Sequence, residues 1–193
     1  MKLQKILCAL ASVGLIGAAL PRALAADKEK PSADVEARVT QVIKAKYPDA
    51  AIRGMAKESE DGLSFIGVQM TSKGTKMNVD VMEDGTLVGS EEEADVKAFP
   101  KAAAKALKKA TKGMTIKATE IAKTYAKADP NDKTGTKAIM LTEPIVAYEM
   151  DVEMDVEKDG QKGEFAVDAN GKFLETPKWA AAGGKSKGKG EKD

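Results

Sequence analysis

The sequence predicts an α+β protein, a tandem repeat of helix plus antiparallel strands that builds a shared sheet with the helices packed on one face. Three observations support this. Apolar and acidic residues alternate strictly along 146–155, as expected for a half-buried strand. The apolar positions of 66–81 recur at 152–167, a spacing of 86 residues. Two stretches of helical periodicity, one before each strand pattern, supply apolar faces to cover the sheet.

The strand at 146–156 is followed by Asp159-Gly160, a pair suited to a two-residue hairpin turn because glycine tolerates positive φ. A turn at this pair sets Met154 opposite Phe165, with both side chains on the apolar face. The earlier hairpin turns at Lys73-Gly74. It therefore pairs residues 66–70 with 77–81.

The remaining elements follow from periodicity and from turn residues. A helix is predicted over 34–46, because apolar residues recur at helical spacing and Pro48 disfavours helix for the residue before it. Pro100 suits the first position of a second helix. Strands are predicted at 51–57, 63–71, 75–82, 86–90, 114–121 and 172–175.

Residues 1–25 are predicted to be a secretory signal peptide. Lys2 and Lys5 precede an apolar run over 6–20, and Ala23-Leu24-Ala25 provides small residues for cleavage after Ala25. The run is short for an uncleaved membrane anchor, which is the alternative. The chain then divides into a linker (26–33), a first repeat (34–90), a second repeat (91–178) with an insertion near 122–144, and a disordered Lys/Gly tail (179–193).

Composition excludes several kinds of site. The chain has no histidine, and its single cysteine, Cys8, lies within the predicted signal peptide. Histidine-activated nucleophiles, histidine-bound metals and thiol catalysis are therefore excluded in the mature protein. Removal of residues 1–25 takes away three basic residues and changes the net charge from +1 to −2. This near-neutral balance gives no reason to expect nucleic acid as a partner, and no cofactor is predicted.

The acidic ladder of Glu149, Asp151, Glu153 and Asp155 is the one candidate metal site, and it is a weak one. Alternate residues on a strand lie about 7 Å apart. A Ca²⁺ ion needs about six to eight oxygens within about 2.6 Å. A straight ladder cannot converge on one ion without other ligands. The ladder is therefore interpreted as a solvated face of the sheet, and no metal site is predicted.

The insertion in the second half of the chain is the predicted partner contact. Its polar part, residues 128–137, is rich in turn-forming residues. Loops of this kind carry function more often than the strands that support them. The predicted contact residues are Asp129, Asn131, Lys133, Thr134 and Lys137.

The chain resembles the PepSY-like family over about residues 33–176. The first half carries Tyr47-Pro48-Asp49-Ala50 with Ile52, then Val79-Asp80-Val81 with Asp84-Gly85. The second half carries Phe99-Pro100, Ile116, and Val167-Asp168 with Asn170-Gly171, but it has Thr111-Lys112 in place of the Tyr-Pro step. The tandem form is similar to the β-lactamase-inhibitor-like group of secreted bacterial proteins.

This resemblance implies a non-catalytic module of the bacterial envelope, periplasmic or secreted. It implies an envelope protein as partner, with a peptidase as the favoured class, and an inhibitory or regulatory role. It carries over no catalytic residue, and it implies no stable membrane insertion after signal cleavage. Two alternatives stay open: an envelope protein that binds a ligand or a cation such as Ca²⁺ through the acidic face, and a carboxylate-based enzyme.

Overall fold

The computed structural model describes residues 29–154 and 161–181. The predicted signal peptide, Asp155 of the acidic ladder, the Asp159-Gly160 turn and most of the predicted tail lie outside these residues. The elements in chain order are α1 (Ala33–Lys46), β1 (Ala51–Glu60), β2 (Leu63–Ser72), β3 (Thr75–Val81), β4 (Leu87–Glu93), a short 3-10 helix (Val96–Ala98), α2 (Lys101–Ala110), β5 (Thr115–Ala128), β6 (Ala138–Met154), β7 (Gln161–Val167) and β8 (Lys178–Ala181).

The prediction of a tandem helix-plus-strand repeat is wrong, although the α+β class is broadly consistent with the structure. The described strands form one eight-stranded antiparallel sheet in the order β1 to β8. Backbone pairing continues from β4 into β5, where Gly89 lies opposite Thr124 and Glu93 opposite Glu120. Since this pairing joins the two halves, neither half is a separate unit. The apolar positions recur at a spacing of 86 residues because apolar and polar side chains alternate along the strands of both hairpins in this sheet.

The β2–β3 hairpin has the predicted register, with Val68 opposite Val79 and Met70 opposite Met77. Lys73 and Gly74, which connect the strands, both have positive φ, at 50° and 83°. Two consecutive residues with positive φ form a hairpin turn whose twist matches the right-handed twist of the flanking strands. Lysine thus adopts a conformation that is more common for asparagine or aspartate at this position.

The predicted register of β6 and β7 is wrong by four residues. Phe165 lies opposite Met150 rather than Met154, and Met154 lies opposite Gln161. The predicted Asp159-Gly160 turn lies outside the described residues, but the observed register is not the one that a turn at this pair would give. A shift of four residues keeps every side chain on its predicted face, so hydrophobic alternation alone cannot distinguish the two registers.

Both helices pack against the same face of the sheet, and the main core lies between them and the strands. Val39 and Ile43 of α1 pack against buried residues of β2 and β3. Ala103 and Leu107 of α2 pack against Met150 and its neighbours on β6 and β7. No helix in the described residues is long and apolar enough to cross a membrane.

The opposite face of the sheet, here called the helix-free face, carries two smaller buried clusters. Leu63, Phe65, Met82 and Val88 form one of them, against Ala128 and Ala138. Three alanines, one from each of β5, β6 and β7, form the other, against Ile145 and Leu174: Ala122, Ala147 and Ala166. The sheet thus buries side chains on both of its faces.

Trp179, the first residue of the predicted tail, lies in β8 opposite Gly163. Its ring stacks edge-on against Phe165, with 5.7 Å between ring centroids. A Cβ atom on Gly163 would lie 2.6 Å from the indole, so glycine leaves the space that the ring occupies. This contact fixes the last described strand to the sheet.

Candidate functional site

The connection between β5 and β6 is a hydrogen-bonded loop, and residues 129–140 are here called the hairpin tip. Asp132 organises it. One carboxylate oxygen of Asp132 accepts hydrogen bonds from the backbone N–H groups of Thr136 and Lys137, both at 2.7 Å. The other accepts from the N–H and the hydroxyl of Thr134, at 3.0 and 2.6 Å. These bonds hold the pKa of Asp132 well below its usual value.

The hairpin tip is anchored to the turn between β1 and β2. The backbone N–H of Ser64 donates to the carbonyl of Gly135 at 2.8 Å. Gly135 has a φ of 73°, and a Cβ atom there would lie 2.9 Å from the carbonyl oxygen of Gly62. Glycine is therefore required both for the backbone conformation and for the close approach. The anchor ties the long β5–β6 hairpin to the β1–β2 hairpin at one edge of the sheet.

The five residues predicted as partner contacts all lie in this tip. Asp129 is half-buried and its carboxylate accepts a hydrogen bond from the backbone N–H of Asn131, while the other four are exposed. Two apolar neighbours in the tip, Ile139 and Met140, are 42% and 55% exposed and were not among the residues predicted from sequence. As successive residues of a strand, these two side chains lie on opposite faces of the hairpin.

The acidic ladder is not a solvated face. Glu149 and Asp151 lie on the helix-free face and are 1% and 3% exposed, and Glu120 on β5 is 8% exposed. Register places Glu120 opposite Glu149 and Asp151 opposite Glu164. Both carboxylate oxygens of Glu149 and Asp151, and one of Glu120, have no hydrogen-bond partner within the described structure. The prediction was wrong because alternation shows which residues share a face and leaves open what covers that face.

Burial changes the acidity of these groups. Burial, and next the charge of Glu91, together raise the pKa of Glu120 to about 8. Burial raises the pKa of Asp151 to about 7, again with a contribution from Glu91. The pKa of Glu149 is raised well above its usual value by burial and then by Glu164. A buried carboxyl without a partner favours its neutral form.

A metal site is not formed by this arrangement. Among residues 29–154 and 161–181, no three acidic, histidine or cysteine side chains are grouped so that they could bind one ion. Glu149 and Asp151 of the predicted ladder lie on the buried helix-free face. Glu153 is on β6 and its side chain is not described, and Asp155 is outside the described residues.

One surface cleft of about 410 Å³ contains several carboxylates, the residue type that an acid–base enzyme would need. The Lys57 ammonium binds two of them, Glu29 at 2.9 Å and Glu83 at 3.5 Å. These ion pairs are exposed to solvent, so neither carboxylate has the apolar surroundings that tune a catalytic acid. The cleft is best explained as the place where residue 29 packs against β1, since the N–H of Lys57 donates to the Glu29 carbonyl.

Comparison with known proteins finds the fold in solved structures of Bacteroides proteins. A BLIP-like protein from Bacteroides fragilis has a TM-score of 0.50 at 14% identity, over 78% of this chain and 89% of that one. A DUF2874 family protein from Bacteroides ovatus has a TM-score of 0.50 at 14% identity, over 79% and 89%. A protein from Bacteroides eggerthii, assigned to the periplasm, has a TM-score of 0.50 at 16% identity, over 79% and 88%.

No family model matches the chain, and no curated protein matches it. At these identities the likeness shows the fold alone. It supports the part of the sequence resemblance that concerns BLIP-like proteins.

Proposed function

We propose that this chain is a secreted, periplasmic, PepSY-like binding module without catalytic activity. Its signal peptide is removed after Ala25. Its partner is a protein of the envelope, and a peptidase that it inhibits or regulates is the favoured class. The likeness to a BLIP-like protein and to a protein assigned to the periplasm supports this proposal. The lack of histidine, and of cysteine outside the signal peptide, argues against an enzyme.

The observation that carries the proposal is the hairpin tip. It joins an ordered polar loop to two exposed apolar side chains, Ile139 and Met140. A surface ordered before binding loses less conformational entropy when a partner docks. Apolar anchors with a polar surround are the usual anatomy of a protein interface. The proposed contact residues are those predicted from sequence, Asp129, Asn131, Lys133, Thr134 and Lys137, together with these two anchors.

Replacing both anchors, Ile139→Ser with Met140→Ser, is expected to weaken partner binding at least about tenfold, since each anchor contributes about 1 kcal/mol or more. Stability should change little because both side chains are exposed. The measurement is capture from the periplasmic extract of the source bacterium, with mass spectrometry, and then titration of the captured protein. Ile116→Ser is the matched control, since Ile116 is 49% exposed and lies outside the tip. Equal loss of binding in both variants would refute the assignment of the tip.

Replacing Asp132 with alanine is expected to loosen the tip without removing any proposed contact residue. The N–H groups of Thr134, Thr136 and Lys137 lose their acceptor, so their amide exchange should become faster. Binding should weaken because the tip must then be ordered on docking. Because the pKa of Asp132 is lowered on folding, acid should loosen the wild-type tip in the same way as pH falls below about 4. Unchanged exchange in the variant would contradict this role.

The alternative proposal is binding of a ligand or a cation such as Ca²⁺ through the acidic face. A cation would have to draw the buried carboxyls of Glu149 and Asp151 together, since no three described side chains are grouped to bind one ion. Calorimetry with Ca²⁺, together with the melting temperature in its presence, tests it. An absence of heat with an unchanged melting temperature removes this alternative and leaves the protein-binding proposal untouched.

A further inference from the structure

The carboxyl cluster on the helix-free face plays no part in the proposed contact at the hairpin tip. Glu120 of β5 faces Glu149 of β6 directly, and Asp151 is the next residue of β6 on the same face. Strands pair about 4.8 Å apart, so these three carboxyls are near neighbours. Five of their six carboxylate oxygens are buried and have no hydrogen-bond partner in the described structure.

The surrounding groups add more negative charge than positive charge. A small apolar patch lies beside the carboxyl cluster on the same face; it consists of Ala122, Ala147 and Ala166. Leu174 packs against these alanines. Lys76 and Glu93 form a surface-exposed ion pair on this face, with 2.9 Å between the ammonium and the carboxylate. The other charged positions around the cluster are Asp80 on β3, Glu91 on β4, Lys117 at the β5 bulge, Glu164 on β7 and Lys178 on β8, which pairs with Glu164 in register.

Two adjacent buried carboxylates repel each other, and each loses its hydration. Protonation removes both costs. We infer that Glu120, Glu149 and Asp151 form a proton-dependent latch: the helix-free face stays closed while the cluster holds protons, and it loosens between β5 and β6 when they leave. The raised pKa values of Glu120 and Asp151, about 8 and about 7, place this change near neutral pH.

The direction of the pH dependence follows from proton binding. Unfolded carboxyls have pKa values near 4, whereas burial raises the pKa of folded Glu120 to about 8 and of folded Asp151 to about 7, and raises that of Glu149 in the same direction. Between those values the folded state holds more protons than the unfolded state, so stability falls as pH rises. Histidine usually dominates titration in this range, and the chain has none. The groups left to titrate in this range are the α-amino terminus, which is ordinarily near pH 8 and common to every variant compared, and the buried carboxyls.

The test is urea unfolding of the mature chain between pH 5.5 and 8.5. We expect the unfolding equilibrium constant to rise about tenfold per pH unit for each proton lost, so the urea midpoint falls. Glu149→Gln should flatten this dependence and raise the midpoint at pH 8.5. Glu143→Gln is the matched control, because Glu143 is an exposed residue of the same strand and should follow the wild type. A pH-independent midpoint in the wild type would overturn the inference.

Two further measurements keep the inference testable if Glu149→Gln does not fold. Carbon NMR of the wild-type carboxyl groups should show Glu120 and Glu149 still protonated at pH 6, and midpoints near pH 4 for the whole cluster would refute the latch. Amide exchange of β5 and β6 should accelerate from pH 6 to pH 8.5 beyond the intrinsic effect of pH. If Ca²⁺ at pH 8.5 restores the stability seen at pH 5.5, the cluster is a cation site and the proton assignment is wrong.

Discussion

Replacing Leu107 with alanine is expected to lower the free energy of unfolding by about 2–5 kcal/mol. Leu107 is fully buried on α2, where it packs against Met150, Val152 and Phe165 of the sheet. Truncation removes apolar contacts and leaves a cavity that the rigid strands cannot fill. Since a domain of this size has about 5–15 kcal/mol of stability, this one change removes a large part of it.

The measurement is urea unfolding followed by circular dichroism at fixed pH. Lys105→Ala on the exposed side of the same helix is the control, and it should change stability by less than about 0.5 kcal/mol. A loss below about 1 kcal/mol for Leu107→Ala would show that α2 contributes little to the core.

Replacing Gly171 with alanine is expected to destabilise the protein by about 3 kcal/mol or more. The added Cβ would lie 2.7 Å from the carbonyl oxygen of Ala102 on α2. Because this oxygen belongs to the helix backbone, no change of side-chain rotamer can relieve the clash. Gly171 also has a φ of 79°, where alanine is strained by about 1–2 kcal/mol. Overpacking adds about 1–3 kcal/mol to this strain.

Gly74→Ala separates the two contributions. Gly74 has nearly the same φ, 83°, but a Cβ atom there would meet nothing within 4 Å. The control should therefore show only the backbone strain. Thermal unfolding of both variants measures the difference, and equal losses would mean that the turn does not pack closely against α2.

Local chemistry allowed much of the fold to be predicted from sequence. The first helix, predicted over 34–46, is observed over Ala33–Lys46, because apolar spacing sets its face and Pro48 limits its end. The register of β2 and β3 follows from the Lys73-Gly74 turn, because strands joined by a two-residue turn can pair in only one register. These features depend on residues close together in the chain.

The features that sequence could not supply depend on long-range contacts. The four-residue shift between β6 and β7 keeps the same faces, so no alternation pattern reveals it. Burial of Glu149 and Asp151 depends on the neighbouring strands β5 and β7 as well as on β6 itself. The position of the hairpin tip depends on the bond from Ser64 to Gly135. The five proposed contact positions all lie in the hairpin tip, and the exposure of Ile139 and Met140 beside them is seen only in the structure.

The central claim is that an envelope protein docks on the hairpin tip. A photo-crosslinking amino acid at the position of Lys133, which is exposed in the tip, tests it most directly in intact cells. The same amino acid at the position of Lys105, exposed on α2, is the matched control. We expect one dominant adduct with an envelope protein from position 133 and none of that adduct from position 105. No adduct from position 133, or the same adduct from both positions, would contradict the claim.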